Sequence, residues 1–422
     1  MLMVLPRFGR DPMPSLQRKA AFQLAVHEIA ESLVASTPQS LDPTADVATS
    51  SHPGLVGGAA GVALFLGAYA KHFRHAHART RSRDLIGAAL EQCGRLTSGI
   101  SFAGGPPGVA WSAIVLEKAL ALKGLDTALR PLDKMVTELL HETPMMDLPL
   151  DYLDGVSGTA TYLLRRPAHA VRPALRRIAE ILVDRAQNQD ETAFWTDTWR
   201  SPANGPPGTL ERVNLGVARG MVGIAAVLRR MQVVGVGHPR GDLIVTRTMN
   251  YLAARGCATA AIGAAHTHYP PIPGQATPEL GWCWGEPGLI SVLDSAGLCR
   301  PNSVWSRKRR AIALAISASD AISRFRISDA SLCHGHAGVA HLMARARGER
   351  RSHLLDAADR WLAAALENRH RGPHQVAGFT FNWDGTPRAL EGFLRGVSGV
   401  GLALLNRLDP TPLRWDDSLL IA

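Results

Sequence analysis

Seven times along this 422-residue chain, a Gly-x-x-Gly step opens a stretch of small and apolar residues. The copies are Gly58–Gly61, Gly105–Gly108, Gly155–Gly158, Gly220–Gly223, Gly285–Gly288, Gly335–Gly338 and Gly396–Gly399. Their spacing runs from 47 residues (Gly58 to Gly105) to 65 (Gly155 to Gly220). That period is long enough for one helical hairpin and belongs to repeat architectures. Glycine is abundant, and about four such steps would arise by chance at this composition. The context carries the weight. An apolar helical stretch follows every copy, and amphipathic stretches such as Leu16–Ser36, Pro173–Gln187 and Ser352–Glu367 fall between copies. Charged residues occupy one face of these, and Leu, Ile and Ala the other.

One period therefore reads as an outer amphipathic helix, a loop, and an inner helix opened by glycines. Ala, Leu and Arg outweigh β-branched and aromatic residues, which favours helix over sheet. The 46% of hydrophobic residues can bury a sizeable core. Seven hairpins can close into a ring, which removes the open ends of a linear solenoid; an open solenoid satisfies the same repeats. Glycines let the inner-helix N-termini approach one another, bringing positive dipole ends and free N–H groups to one mouth. The long gaps at 187–214 and 255–281 are rich in Pro, Gly, Thr and Trp. They read as ordered loops or short strands over the mouth, with a small loop unit near 188–213 inside one domain spanning 1–422. The first fifteen residues and the stretch after Asp409 read as peripheral.

The net charge of +10 is spread along the chain. It reads as a solvated surface or as a docking face for an acidic peptide segment. No helix-turn-helix, zinc-finger or RNP-type pattern points to nucleic acid. The five cysteines, Cys93, Cys257, Cys283, Cys299 and Cys333, form no dense framework, as expected in a reducing compartment. There is no signal-type apolar region near Met1 and no apolar run of membrane-spanning length, so the expected location is cytoplasmic with no membrane span.

Two of those cysteines sit in matching settings, Trp282-Cys283-Trp284-Gly285 and Leu332-Cys333-His334-Gly335. Each precedes the glycine step of the fifth or sixth repeat, and a ring would set these repeats side by side. Two thiolates and the imidazole of His334 suit zinc and leave its fourth position open, which implies chemistry rather than scaffolding. Two buried free cysteines without metal are the plainer reading. A structural zinc would need a fourth ligand, for which His336 or His341 is available.

The strings GWCWGEPG, SLCHGHAGVAHL, DYLDGVSGTATYLL and FLRGVSGVGLALL, together with the seven repeats, resemble the lanthionine synthetase C family, the lanthipeptide cyclases. The resemblance covers nearly the whole chain. It implies an all-α fold, an α/α toroid of seven inner and seven outer helices, with Zn2+ at one mouth. It also implies a reaction in which a peptide cysteine thiol adds to a dehydroalanine or dehydrobutyrine of the same peptide. Carried over by motif, Cys283, Cys333 and His334 are the zinc ligands, and Asp151 is the active-site aspartate. The implied partner is a dehydrated precursor peptide, with a dehydratase and an exporter as further members of a complex.

The chain departs from the family pattern at three places. Where the family reads Gly-x-Ala-His-Gly, this chain has Gly216-Val217-Ala218-Arg219-Gly220. Arginine stays protonated at physiological pH and does not relay a proton, although it can stabilise an enolate or grip a carboxylate. Trp284 stands where the family tends to carry Tyr, and Glu279 where it tends to carry Arg. Two functional readings follow. In one, the chain is a cyclase in which Arg219 stabilises the enolate and the proton comes from solvent, Asp151 or His336. In the other, it is a zinc-bearing relative that binds a modified peptide or scaffolds partner enzymes without cyclising. A carbohydrate-processing α/α barrel would need paired carboxylates, and Asp151 and Asp154 are expected to point apart.

Overall fold

The computed structural model of the chain describes residues 15–36, 40–96, 99–196, 213–254, 280–325, 327, 329–347, 351–367, 369, 375–383, 386–409 and 413–421. Outer and inner helices alternate. Outer α1 (Ser15–Ser36) precedes inner α2 (Ala59–Phe73), then outer α3 (Ala76–Glu91) and inner α4 (Pro106–Leu120). The order continues through α5 (Leu125–Glu142), α6 (Val156–Leu163), α7 (Ala168–Asp184), α8 (Met221–Val233), α9 (Gly241–Leu252) and α10 (Glu286–Ser295). After outer α11 (Val304–Ile316) and a short α12 (Ala321–Phe325) come inner α13 (His336–Arg345), outer α14 (Arg351–Glu367) and inner α15 (Val397–Leu408).

The inner helices close a ring. α2 packs on α4, α4 on α6, α6 on α8, α8 on α10, α10 on α13, α13 on α15, and α15 returns to α2. Behind them, α3, α5, α7, α9, α11, α14 and α1 back α2, α4, α6, α8, α10, α13 and α15 in turn. The fold is an α/α toroid, and the open solenoid is excluded by the α15–α2 contact. Composition follows position. Inner α2 is buried at every residue from Ala59 to Ala70, as expected of a helix apolar all round. Outer α5 buries Leu125, Leu129, Leu132, Val136 and Leu140, one stripe at helical spacing.

The glycine steps have a steric cause. The second glycine of every step faces the carbonyl oxygen of its own loop, three residues before the first glycine. A Cβ there would stand only 1.9–2.2 Å from that oxygen. At Gly61, Gly108, Gly158, Gly223 and Gly399 it would also meet a side-chain Cβ from the neighbouring loop, at 2.5–3.2 Å. The missing Cβ thus serves both the turn and the approach between repeats. No side chain caps the inner helices. Instead the first helical N–H reaches back to the carbonyl six before the leading glycine: Ala59 to His52, Val156 to Pro149, Met221 to Asn214, His336 to Asp329 and Val397 to Leu390. A buried donor is satisfied without a polar side chain.

A belt of backbone hydrogen bonds joins the seven loops. Each bond is accepted by the carbonyl two residues before a leading glycine. Val56 N–H donates to Ala103, Ala103 to Leu153, Leu153 to Ala218, and Ala218 to Cys283. Trp282 then donates to Cys333, Cys333 to Leu394, and Leu394 back to Val56, all at 2.7–3.2 Å. The belt fixes the register of every loop against its neighbours.

Two antiparallel hairpins, β1 (Gln187–Gln189) with β2 (Thr192–Phe194) and β3 (Phe381–Trp383) with β4 (Thr386–Arg388), follow outer helices α7 and α14. They therefore lie at the end of the ring where inner helices begin. The first packs on α9, with Phe194 against Tyr251. Of the loop unit expected at 188–213, residues 197–212 lie outside the described residues, as do 255–279 of the second long gap. Among the described residues, no helix is long and apolar enough to cross a membrane.

The stretch after Asp409 is central, contrary to its expected peripheral place. Residues Trp415 to Ile421 are all buried, with a 3-10 turn over Trp415–Leu419. They enter the lumen and meet residues of several repeats. The basic run at 165–185 also has internal employment. Arg166 grips buried Asp133 with two nitrogens, Arg165 pairs with Asp417, and Arg185 donates to the Met145 and Leu148 carbonyls.

Candidate metal centre

The belt explains why two distant cysteines meet. Cys283 and Cys333 occupy the same repeat position, two before the leading glycine, in loops that are neighbours in the ring. His334 follows Cys333 directly. The ligand atoms of Cys283, Cys333 and His334 all lie within 4.8 Å of one another. The Trp282 N–H to Cys333 carbonyl bond, at 2.7 Å, clamps the two loops beside the thiols. Gly281 permits this approach, because a Cβ there would stand 2.9 Å from the His334 Cβ. On the helical side, Glu286 opens α10 and pairs at 2.6 Å with Lys308 of α11. An acidic group in that first turn also suits the helix dipole.

The electrostatics of the cluster favour a cation. The hydrogen bond with Cys333 and burial push the Cys283 thiol well above its ordinary value. Burial pulls His334 down, but its hydrogen bond and charge interaction with Cys283, aided by Asp329, outweigh burial and raise it. Two thiolates this close repel each other in a buried setting, and a divalent ion removes that penalty. Two sulfurs and one imidazole are a donor set that fits zinc. Asp329, only 4% exposed, stands behind the imidazole, its Oδ2 3.7 Å from His334 Nε2. Its Oδ1 accepts the Ser331 N–H at 2.8 Å. A carboxylate behind a ligand imidazole tends to orient the ring and raise its basicity. Neither His336 nor His341 joins the cluster. The remaining described cysteines differ in kind: burial pushes Cys93 and Cys299 up to about 12, as in inert structural thiols. Cys257 lies outside the described residues.

In the third to seventh loops the position one before the leading glycine carries the rim, with Asp154, Arg219, Trp284, His334 and Arg395, whereas the first two loops have Gly57 and Gly104 there. Arg219 Nη1 is 2.5 Å from Asp154 Oδ2 and 3.9 Å from Asp151 Oδ1. Asp151 Oδ1 accepts the N–H groups of Leu153 and Asp154, each at 2.9 Å. Burial pushes the Asp151 carboxyl up to about 6, against the pull of Arg219. Asp154 also accepts from Ser101 at 2.9 Å. Trp284 lies over Gly216, where a Cβ would stand 2.6 Å from its ring.

His336 is turned elsewhere. Its Nδ1 is 2.8 Å from the Asp329 carbonyl, and its ring packs on Trp361 of outer helix α14 at 5.7 Å between centroids. Burial lowers its basicity. Glu279 lies outside the described residues. Sequence reasoning passed over Asp329 and Arg395, and it expected Asp154 to point away from Asp151, whereas both carboxylates face Arg219. The signal was present: aligning the repeats on their leading glycines puts Asp154 and Arg395 at the position of Arg219 and His334.

A sequence-family model described as "Lanthionine synthetase C-like protein" matches residues 50–420. Among solved structures the chain is similar to one titled "Nisin cyclase", with 15% sequence identity and a TM-score of 0.65. The similarity covers 96% of this chain and 98% of that one. No curated protein matches the chain in sequence.

Proposed function

This chain belongs to the lanthionine synthetase C-like family, and from that premise we propose that it is a zinc-dependent lanthipeptide cyclase. It adds a cysteine thiol to a dehydroalanine or dehydrobutyrine within one dehydrated precursor peptide. The observation that carries this reading is the convergence of Cys283, Cys333 and His334 within 4.8 Å at the ring mouth.

Cys283, Cys333 and His334 would hold the zinc, whose chemistry would be to lower the pKa of a peptide thiol and keep its sulfur nucleophilic near neutral pH. In the addition, the sulfur gives up its proton and bonds to the alkene β-carbon. The alkene electron pair moves toward the α-carbon and the neighbouring carbonyl oxygen, forming an enolate. The α-carbon then takes a proton. Arg219 is a permanent cation at the mouth, held between Asp154 and Asp151, and stabilises that enolate charge. Asp151, pushed up to about 6, exchanges a proton near neutral pH. Its Oδ1 is committed to two backbone N–H groups, so the mobile proton sits on Oδ2. His336 faces α14 rather than the rim, which favours Asp151 or solvent as the proton source.

The second reading, a relative that binds modified peptide or scaffolds a biosynthetic complex without cyclising, draws on the same Arg219. Its guanidinium is already engaged by two carboxylates. Incubation of the zinc-loaded chain with a dehydrated peptide separates the readings, with free thiols counted by alkylation and mass spectrometry. Cyclisation predicts the loss of one thiol per ring at unchanged peptide mass, with a slower rate in Arg219→His. A peptide that binds and keeps its thiols would favour the non-cyclising reading.

A further inference from the structure

The residues three before each leading glycine are Leu55, Phe102, Tyr152, Val217, Trp282, Leu332 and Phe393, and all are buried. They adjoin the belt in sequence, and three of them meet the segment after α15. Tyr152 donates its hydroxyl to the Ser418 carbonyl at 2.9 Å, and Trp282 its Nε1–H to the Leu419 carbonyl at 2.8 Å. Trp415 packs edge-on against Phe393 at 5.8 Å and lies on His341 at 4.5 Å.

Two acidic residues secure the segment. Asp416 pairs with Arg345 at 2.8 Å and with His341 at 3.3 Å. Asp417 pairs with Arg165 and, at 3.2 Å, with Arg414. A buried carboxylate without partners would be costly, so these pairs specify one seating for the segment. Its contacts reach loops three, five and seven and helix α13. Tyr152 is next in sequence to Asp151, and Trp282 is next to Cys283. The segment therefore touches the immediate neighbours of both chemical groups.

We propose that the segment Leu413–Ile421 is a positioning element of the metal centre, a plug in the lumen that fixes Trp282 and Tyr152 and through them Cys283 and Asp151. The inference rests on the metal-binding reading. It goes beyond that reading by assigning ligand placement to a segment that supplies no ligand. The Trp282 indole, held at its far end by Leu419, sets the backbone from which Cys283 projects. The backbone N–H of Trp282 donates to the Cys333 carbonyl, so the plug and the belt hold the two cysteine loops together.

The test compares the full chain with one ending at Asp409, using Co(II) as the probe. Affinity is read by chelator competition, and geometry by the thiolate-to-cobalt charge-transfer band. The shortened chain should bind Co(II) about tenfold more weakly, the scale of effect seen when supports behind metal ligands are removed. A synthetic peptide of residues 410–422 added in trans should restore both affinity and band. A folded shortened chain with full affinity and an unchanged band would overturn the proposal. Where the shortened chain does not fold, full-length Trp282→Phe decides: weaker Co(II) binding with a shifted band supports the plug, and wild-type binding overturns it. A full chain that binds no Co(II) removes the metal-binding reading itself, and this inference with it.

Discussion

Asp151 shows how burial gives one residue a measurable signature. Its carboxyl has the ordinary value of 3.8 when unfolded and is raised to about 6 in the folded chain. The folded state binds more protons between those values, so stability falls as pH rises through the window. The contribution is fully present below about pH 4 and is lost by about pH 7. Asp151→Asn keeps an acceptor for the Leu153 and Asp154 N–H groups and abolishes the titration. Denaturant unfolding should show the variant gaining on the parent by on the order of 3 kcal/mol across that range. A difference that stays constant with pH would contradict the assignment. Asp151 was legible in the sequence through its family string, and the cysteines through their matching glycine settings. His336 shows where adjacency misleads. It lies two residues after His334, but as the first residue of α13 it is turned onto Trp361 of the outer layer. Asp329 was hidden for the opposite reason: it acts across a turn that closes only when the His336 N–H meets its carbonyl.

At the scale of elements, the glycine steps, the loops and the inner helices are one device. Each step was readable because its cause is local, a carbonyl standing where a Cβ would be. The belt was not readable, because backbone hydrogen bonds between loops leave no residue signature. Its consequence can still be tested with one added methyl group. Gly281→Ala drives a Cβ against His334 Cβ, at 2.9 Å, and must part loops five and six. Zinc affinity should drop about tenfold, as for other disturbed ligand supports. Gly87 in outer α3 is the control, since a Cβ there meets nothing within 4 Å. Gly87→Ala should leave zinc binding intact and raise stability by about 0.5–1 kcal/mol. Equal zinc affinity in both variants would mean that the loop approach does not govern the site.

In the whole molecule, ring closure is what makes a site from scattered positions. Cys283 and Cys333 are fifty residues apart (333 − 283) and meet because repeats five and six are neighbours in a ring that α15 and α2 close. The toroid was expected from the count and spacing of the steps together with the family strings. The central plug was not. The segment after Asp409 has no helical period, and its partners, Tyr152, Trp282 and His341, lie in three other repeats. On the proposed reading, this ring assembles one zinc site from Cys283, Cys333 and His334. Metal analysis of purified chain, by mass spectrometry of the bound element against protein concentration, tests it most directly. One zinc per parent chain is expected, with loss of zinc in Cys333→Ala and the helical circular dichroism of the toroid retained. Full zinc occupancy in folded Cys333→Ala would contradict it.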